Sequence, residues 1–166
     1  MIGADSFGLG ASRQVPNCFI VPRGTVQALL DHHRASLAVL ESRGLKTPRF
    51  FVWGWSQGGW STMQFLRRLE TPGIPVTAAA TVSAPVDLAG AYRWKIKTPV
   101  RAYAGAADEA IPPVVSRMAA DFPRLLGSTQ VEFVSVGERA DHRAAYVSAT
   151  LAVKPWFDGF VTPAAE

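Results

Sequence analysis

Three residues of this chain have the types needed for nucleophilic attack on a carbonyl carbon: Ser56, Asp108 and His142. Serine is a weak nucleophile until a neighbouring base takes its proton. Histidine titrates near neutrality, so it can take that proton and return it to a leaving group. An aspartate can fix the histidine tautomer and stabilise the imidazolium that forms. Ser56 sits in FFVWGWSQGGW, Phe50 to Trp60, with Gly54 and Gly58 two residues to either side in the pattern G-x-S-x-G. Average glycine and serine usage gives roughly 0.05 chance matches in a chain of this length. Each residue also has a plainer reading. A Gly-rich turn can carry an idle serine, Asp108 before Pro112-Pro113 fits a turn former, and a single histidine at a helix start fits a solvated residue. The conjunction of the three favours chemistry. Asp87 is the rival acid, because it too follows an apolar run.

The surrounding pattern must place the three together. Phe50–Trp55 is apolar and aromatic, a strand; a helix-compatible stretch runs from Trp60 to Glu70 and stops at Thr71-Pro72-Gly73. A serine on so sharp a strand-to-helix turn is lifted clear of the sheet, and the small residues flanking it let strand and helix approach closely. Ile74–Ala84, Pro99–Ala104 and Val131–Val136 read as further strands. Helices are expected over Val114–Leu126, closed by Gly127 or ended a turn early by Pro123, and over Arg143–Val153, with Pro155 near its end. Upstream, Asp5–Gly24 reads as loop, and Val26, Leu29, Leu30, Leu37 and Leu40 form one helical stripe stopped by Gly44. Strand and helix alternate, which implies βα units and a mostly parallel sheet in one α/β domain, residues 1–166. Ser56, Asp108 and His142 then each follow a strand, at the sheet edge where ligand sites form in open parallel sheets.

Composition removes several alternatives. Hydrophobic residues make up 48% and charged residues 18%, a globular balance. The net charge of +4 comes from 17 basic and 13 acidic residues. The basic residues are scattered, the densest cluster being Arg67–Arg68, so no nucleic-acid stripe forms. The single cysteine, Cys18, excludes an internal disulfide and a CxxC metal or redox site, and reads as a structural thiol. His32 and His33 are helical neighbours pointing about 100° apart, which suits surface or satisfied residues better than metal ligands. No cofactor or metal is expected. No apolar run reaches membrane-span length, and the N-terminus lacks a signal peptide's charged and apolar regions. Met1–Ala4 reads as the end of a strand whose start is missing.

GWSQGG at Gly54–Gly59, AGAADEAIPP at Ala104–Pro113 and Asp141-His142 together resemble the α/β-hydrolase superfamily, in particular its serine esterases and lipases. The chain order Ser, Asp, His is also that family's. ADSFGLG at Ala4–Gly10 is similar to the Asp-x-x-Gly-x-Gly loop after the family's fourth strand. The resemblance implies a three-layer sandwich, here a truncated α/β-hydrolase fold without its first strands. It implies a nucleophile elbow at Ser56, with Asp108 as acid, His142 as base and the Gln57 N–H as one oxyanion donor. The second donor, from the loop after the third strand, has no counterpart in the sequence. The strand of Phe50–Trp55 would have its outer edge open, available for self-association. Leu88–Lys97 is too short for a helical lid.

The function this implies is cleavage of a small-molecule carboxylic ester through an acyl-enzyme. A thioesterase or peptidase uses the same triad. A catalytically impaired fragment, or an interaction module keeping the fold, is the alternative from another class. Trp55, Trp60 and Trp94 are candidates for an acyl pocket, although helix–sheet packing is the commoner role beside an elbow.

Overall fold

The computed structural model describes residues 1–86 and 93–161. They fall into two compact units, Met1–Pro48 and Arg49–Glu166.

In the first unit a tight loop closes on itself around Ser12, whose Oγ accepts from the Gly8 N–H at 3.1 Å and donates to the Leu9 carbonyl at 3.0 Å. Gly8, at φ +80°, has the backbone of Asn17 where a side chain would stand. Helix α1, Pro22–Ser42, opens with proline in its first turn, where the missing N–H costs nothing. It closes on Gly44 at φ +69°, with the Leu45 N–H returning to the Leu40 carbonyl at 2.9 Å. His32 and His33 are both half-buried, and His32 Nε2 has no hydrogen bond among the described residues. Met1–Ala4 forms no strand: Met1 and Ile2 are exposed, and the sheet of the described residues lies wholly in the second unit. A strand exists only by its ladder, and these four residues have none.

The second unit is a four-stranded parallel sheet in the order β1-β2-β3-β4. The strands are β1 Phe51–Trp55, β2 Ala78–Val82, β3 Val100–Ala104 and β4 Val131–Ser135, each followed by one of the helices except β2. Those helices are α2 Gln57–Glu70, α3 Pro113–Leu125 and α4 His142–Asp158. All four strands are read in the sequence, three of them one residue too long and β2 too long by more than that at both ends.

The strand period of two assigns the faces. Trp53 and Trp55 lie on the side where Ala80, Val82 and Tyr103 pack against Ala145, Ala149 and Val153 of α4. The i, i+4, i+8 spacing of those three small side chains brings α4 close to the strands. Gly54, between the two tryptophans, faces the opposite way, toward Gly58 and Thr62 of α2. Helix α2 buries Trp60, Met63, Leu66 and Leu69, all fully inaccessible and three residues apart. The result is the three-layer α/β arrangement.

Two prolines lie inside helices. Pro123 lies inside α3 and does not end it early. It stands in the last turn, where few bonds remain to be lost, and the Ser128 N–H closes the end on its carbonyl at 2.9 Å. Helix α4 runs five residues past Val153, through the exposed Pro155, to Asp158.

Candidate active site

Ser56 follows β1 directly and caps α2. Its backbone, φ 52° and ψ −122°, is a conformation that L-residues rarely adopt. Hydrogen bonds hold it there. The Ser56 N–H donates to the Val82 carbonyl at 2.8 Å, and its own carbonyl accepts from Gly59 at 2.9 Å and Trp60 at 3.2 Å. A Cβ on Gly54 would stand 2.2 Å from the Gly58 carbonyl oxygen, and one on Gly59 would stand 2.7 Å from the Ala84 Cβ. A Cβ on Gly58 would meet nothing within 4 Å. Close approach therefore requires Gly54 and Gly59, and Gly58 only as the backbone that Gly54 touches. The sequence pattern alone does not separate these roles.

Asp108 and His142 occupy loops after β3 and β4 that are stitched together. Ala106 and Ala107 donate to the Gly137 and Ala140 carbonyls at 3.0 and 3.1 Å. Gly105 permits this, since a Cβ there would fall 2.0 Å from the Ala140 oxygen. Asp141 caps α4, accepting from the Arg143 and Ala144 N–H groups at 3.0 and 2.7 Å, which starts the helix at His142. The His142 N–H donates to Glu109 Oε2 at 3.1 Å.

Within this frame His142 Nδ1 lies 3.0 Å from both oxygens of Asp108. The Asp108 side chain is fully buried and that of His142 is 15% exposed. Asp108 Oδ1 also accepts from the Ala110 and Ile111 N–H groups at 3.1 and 2.8 Å. Burial by itself pushes the Asp108 carboxyl up. The Ser83 hydroxyl, the Ile111 N–H and His142, through its hydrogen bond and its charge, outweigh burial and hold the carboxyl below its ordinary value. An ionised carboxylate only accepts hydrogen bonds, so Nδ1 carries the proton and Nε2 is left as an acceptor.

Ser56 Oγ and His142 make no hydrogen bond to each other among the described residues. They are linked through Trp55, the residue before the serine. Its indole N–H donates to the His142 carbonyl at 3.2 Å, and its ring lies 4.9 Å from the imidazole, tilted by 36°. The Gln57 N–H opens α2, where a helix has no internal acceptor for it.

Asp87, the rival acid, lies outside the described residues, as do residues 88–92 of Leu88–Lys97. Of the candidate acyl-pocket tryptophans, Trp60 is fully buried as packing. Trp94 donates to Glu70 Oε2 at 2.9 Å, at the end of α2 opposite Ser56. Fourteen residues of helix put that end about 20 Å from the serine. The same carboxylate accepts from Thr98 Oγ1 at 2.7 Å and the Thr98 N–H at 2.8 Å, so Trp94 serves the chain's return to β3.

One residue emerges only from the structure. Ser83, at φ 46° after β2, is fully buried; its hydroxyl has no hydrogen bond of ordinary geometry and lies near enough to Asp108 to favour its ionised form. Nothing in the sequence marks it. Asp141 is different, because an aspartate just before a helical stretch is a readable capping signal.

Cavities of about 600 Å³, lined by Leu37, Leu40 and Leu45 among others, and about 180 Å³, beside Arg101 and Trp156, include none of Ser56, Asp108 and His142. Among the described residues no three histidine, cysteine, aspartate or glutamate side chains group to hold a metal, and no helix is long and apolar enough to cross a membrane.

The sequence matches no protein-family model and no curated relative. Solved structures do match in shape. A candidate hydrolase from Legionella pneumophila superposes with a TM-score of 0.84 at 16% identity, covering 98% of this chain and 70% of that one. The rice cell wall degrading esterase LipA from Xanthomonas oryzae gives 0.73 at 15% identity, covering 90% and 67%. An α/β serine hydrolase homologue from Coxiella burnetii gives 0.60 at 20% identity, covering 90% and 66%. The chain thus has the α/β-hydrolase fold and spans roughly two thirds of the length of these neighbours.

Proposed function

We propose that the chain is a serine hydrolase of carboxylic esters, with Ser56 as nucleophile, His142 as general base and acid, Asp108 as orienting acid and the Gln57 N–H as oxyanion donor. One observation carries the proposal: the buried Asp108 carboxylate lies 3.0 Å from His142 Nδ1, at the sheet edge where Ser56 is held on its strained turn.

The steps follow from those roles. Ser56 Oγ attacks the acyl carbon as its proton passes to His142 Nε2, and the carbonyl oxygen becomes an oxyanion facing the Gln57 N–H. The imidazolium is stabilised by Asp108, which stays ionised throughout. Collapse breaks the ester C–O bond, and the leaving alcohol takes the proton from Nε2. Water then loses a proton to Nε2 as it attacks the acyl-enzyme, and collapse of the second tetrahedral intermediate returns that proton to Ser56. The missing Ser56–His142 hydrogen bond is compatible with this, because such bonds often tighten only with substrate bound. The ester neighbour LipA favours oxygen esters over the thioester and peptide alternatives.

A fluorophosphonate probe should label the protein, and labelling should vanish in Ser56→Ala. A folded sample that is not labelled refutes the proposal.

The outer edge of β1 favours a second reading, assembly through that edge. No described strand pairs with it, and Phe51, Trp53 and Trp55 are all half-buried. That reading predicts an oligomer unaffected by Ser56→Ala, and a monomer by light scattering rejects it.

A further inference from the structure

We propose that Trp55 is a positioning residue for the base: it fixes the His142 ring relative to Ser56 and stabilises the imidazolium that forms during the reaction. The inference rests on the triad reading above and adds a residue to it.

The geometry has three parts. The Trp55 indole N–H donates to the His142 backbone carbonyl at 3.2 Å, tying the start of α4 to the end of β1. The indole ring lies 4.9 Å from the imidazole at a tilt of 36°. Trp55 also meets Tyr146, one helical turn beyond His142, with centroids 5.1 Å apart, and Tyr146 in turn stacks on Trp53 at 6.0 Å. Trp55 thus packs against two side chains of one helix face, and its own backbone continues directly into Ser56. Displacing the indole changes the relation of base to nucleophile. Asp108 alone does not set it, since that carboxylate holds the imidazole only by Nδ1.

The ring does a second thing. An aromatic face attracts a cation within about 6 Å of its centroid, and it has no such interaction with a neutral ring. As the general base of the proposed mechanism, His142 gains a positive charge when it takes the serine proton. Attraction that exists only in the second state lowers the barrier and leaves substrate binding untouched, so it is read in kcat and not in KM. The N–H bond and the ring face are separable, because phenylalanine keeps a face and lacks the donor, whereas leucine lacks both.

Three proteins decide the question: wild type, Trp55→Phe and Trp55→Leu, each checked for folding by thermal melting. Steady-state hydrolysis of a short-chain p-nitrophenyl ester is measured together with the histidine ring-proton NMR resonances, with His142 assigned through His142→Gln. Loss of a single neutral hydrogen bond predicts a fall in kcat of about threefold to tenfold for Trp55→Phe. Adding the lost cation–π attraction predicts about 30-fold to 100-fold for Trp55→Leu. KM should stay within about twofold in both. The His142 ring protons, displaced by the indole ring current in wild type, should move in Trp55→Leu and leave the His32 and His33 signals in place. A kcat of Trp55→Leu close to wild type, a loss appearing chiefly in KM, or phenylalanine as harmful as leucine overturns the proposal. A His142 signal that does not respond to Trp55→Leu overturns it as well. If the wild-type protein neither hydrolyses the ester nor takes a fluorophosphonate, the hydrolase reading fails separately; the NMR response then decides whether Trp55 positions His142.

Discussion

Replacing Gly54 by alanine tests how the elbow is built. The new Cβ would stand 2.2 Å from the Gly58 carbonyl oxygen, 2.3 Å from the Gly58 carbonyl carbon and 2.8 Å from Thr62 Oγ1. Ordinary contacts of such atoms lie above about 3.4 Å, so β1 and the first turn of α2 must part by about 1 Å. Both sides of the clash are backbone held by hydrogen bonds, and no rotamer change relieves it. Overpacking a close-packed site costs about 1–3 kcal/mol or more, and a backbone clash belongs at the upper end. For a domain of this size about 3 kcal/mol lowers Tm by roughly 6–12 °C. Gly58→Ala is the control, because its Cβ meets nothing within 4 Å. Alanine at a compatible glycine position adds up to about 1 kcal/mol of stability. Differential scanning fluorimetry and fluorophosphonate labelling, run on both variants, give the answer. Gly54→Ala should melt lower and label slowly, whereas Gly58→Ala should melt at or above wild type. If Gly58→Ala loses as much stability as Gly54→Ala, the account of which glycine the close approach requires is wrong.

Further outcomes follow from the same geometry. Ser56→Gly should abolish labelling yet raise stability by about 1 kcal/mol or more, since glycine adopts φ near 50° without strain; urea denaturation measures it. Asp141→Ala removes the cap of α4 and should cost about 1 kcal/mol, read as a Tm lowered by roughly 2–4 °C. Asp108 has a folded pKa below the unfolded one, near 3.9, so its ionisation contributes stability that is fully present above that value. That contribution is lost as pH falls through the folded pKa. Urea midpoints measured from pH 7 to pH 2 should show the loss in wild type, and Asp108→Asn should lack that part of the acid dependence. A variant as acid-sensitive as wild type contradicts it.

The parts of the fold that were legible in the sequence are those governed by local periodicity and punctuation. Phe50–Trp55, Gly44 and Gly73 announce a strand and two helix ends because each signal acts within a few residues. Ser56, Asp108 and His142 stand out for a related reason: each follows a strand, and parallel strands present their ends at one edge. Strand limits were read too long because a ladder stops where its neighbour stops, as β2 shows by beginning at Ala78 and not at Ile74. Pro123 does not shorten α3, and Pro155 lies near the end of α4, as the sequence suggests. Trp94 misled because distance along the chain hid its place at the far end of α2.

Ser83 and Trp55 show what sequence reading misses at a site of this kind. A serine after an apolar run, and an aromatic before a nucleophile, are each ordinary in isolation. Their roles arise from partners 25 and 87 residues away, Asp108 and His142. What brings those partners within reach is the sheet order, because β1, β2, β3 and β4 deliver Ser56, Ser83, Asp108 and His142 to one edge in sequence order. The elbow keeps Ser56 in place by its own hydrogen bonds, so that its setting depends on β2 through the Val82 carbonyl and on the first turn of α2 through Gly59 and Trp60.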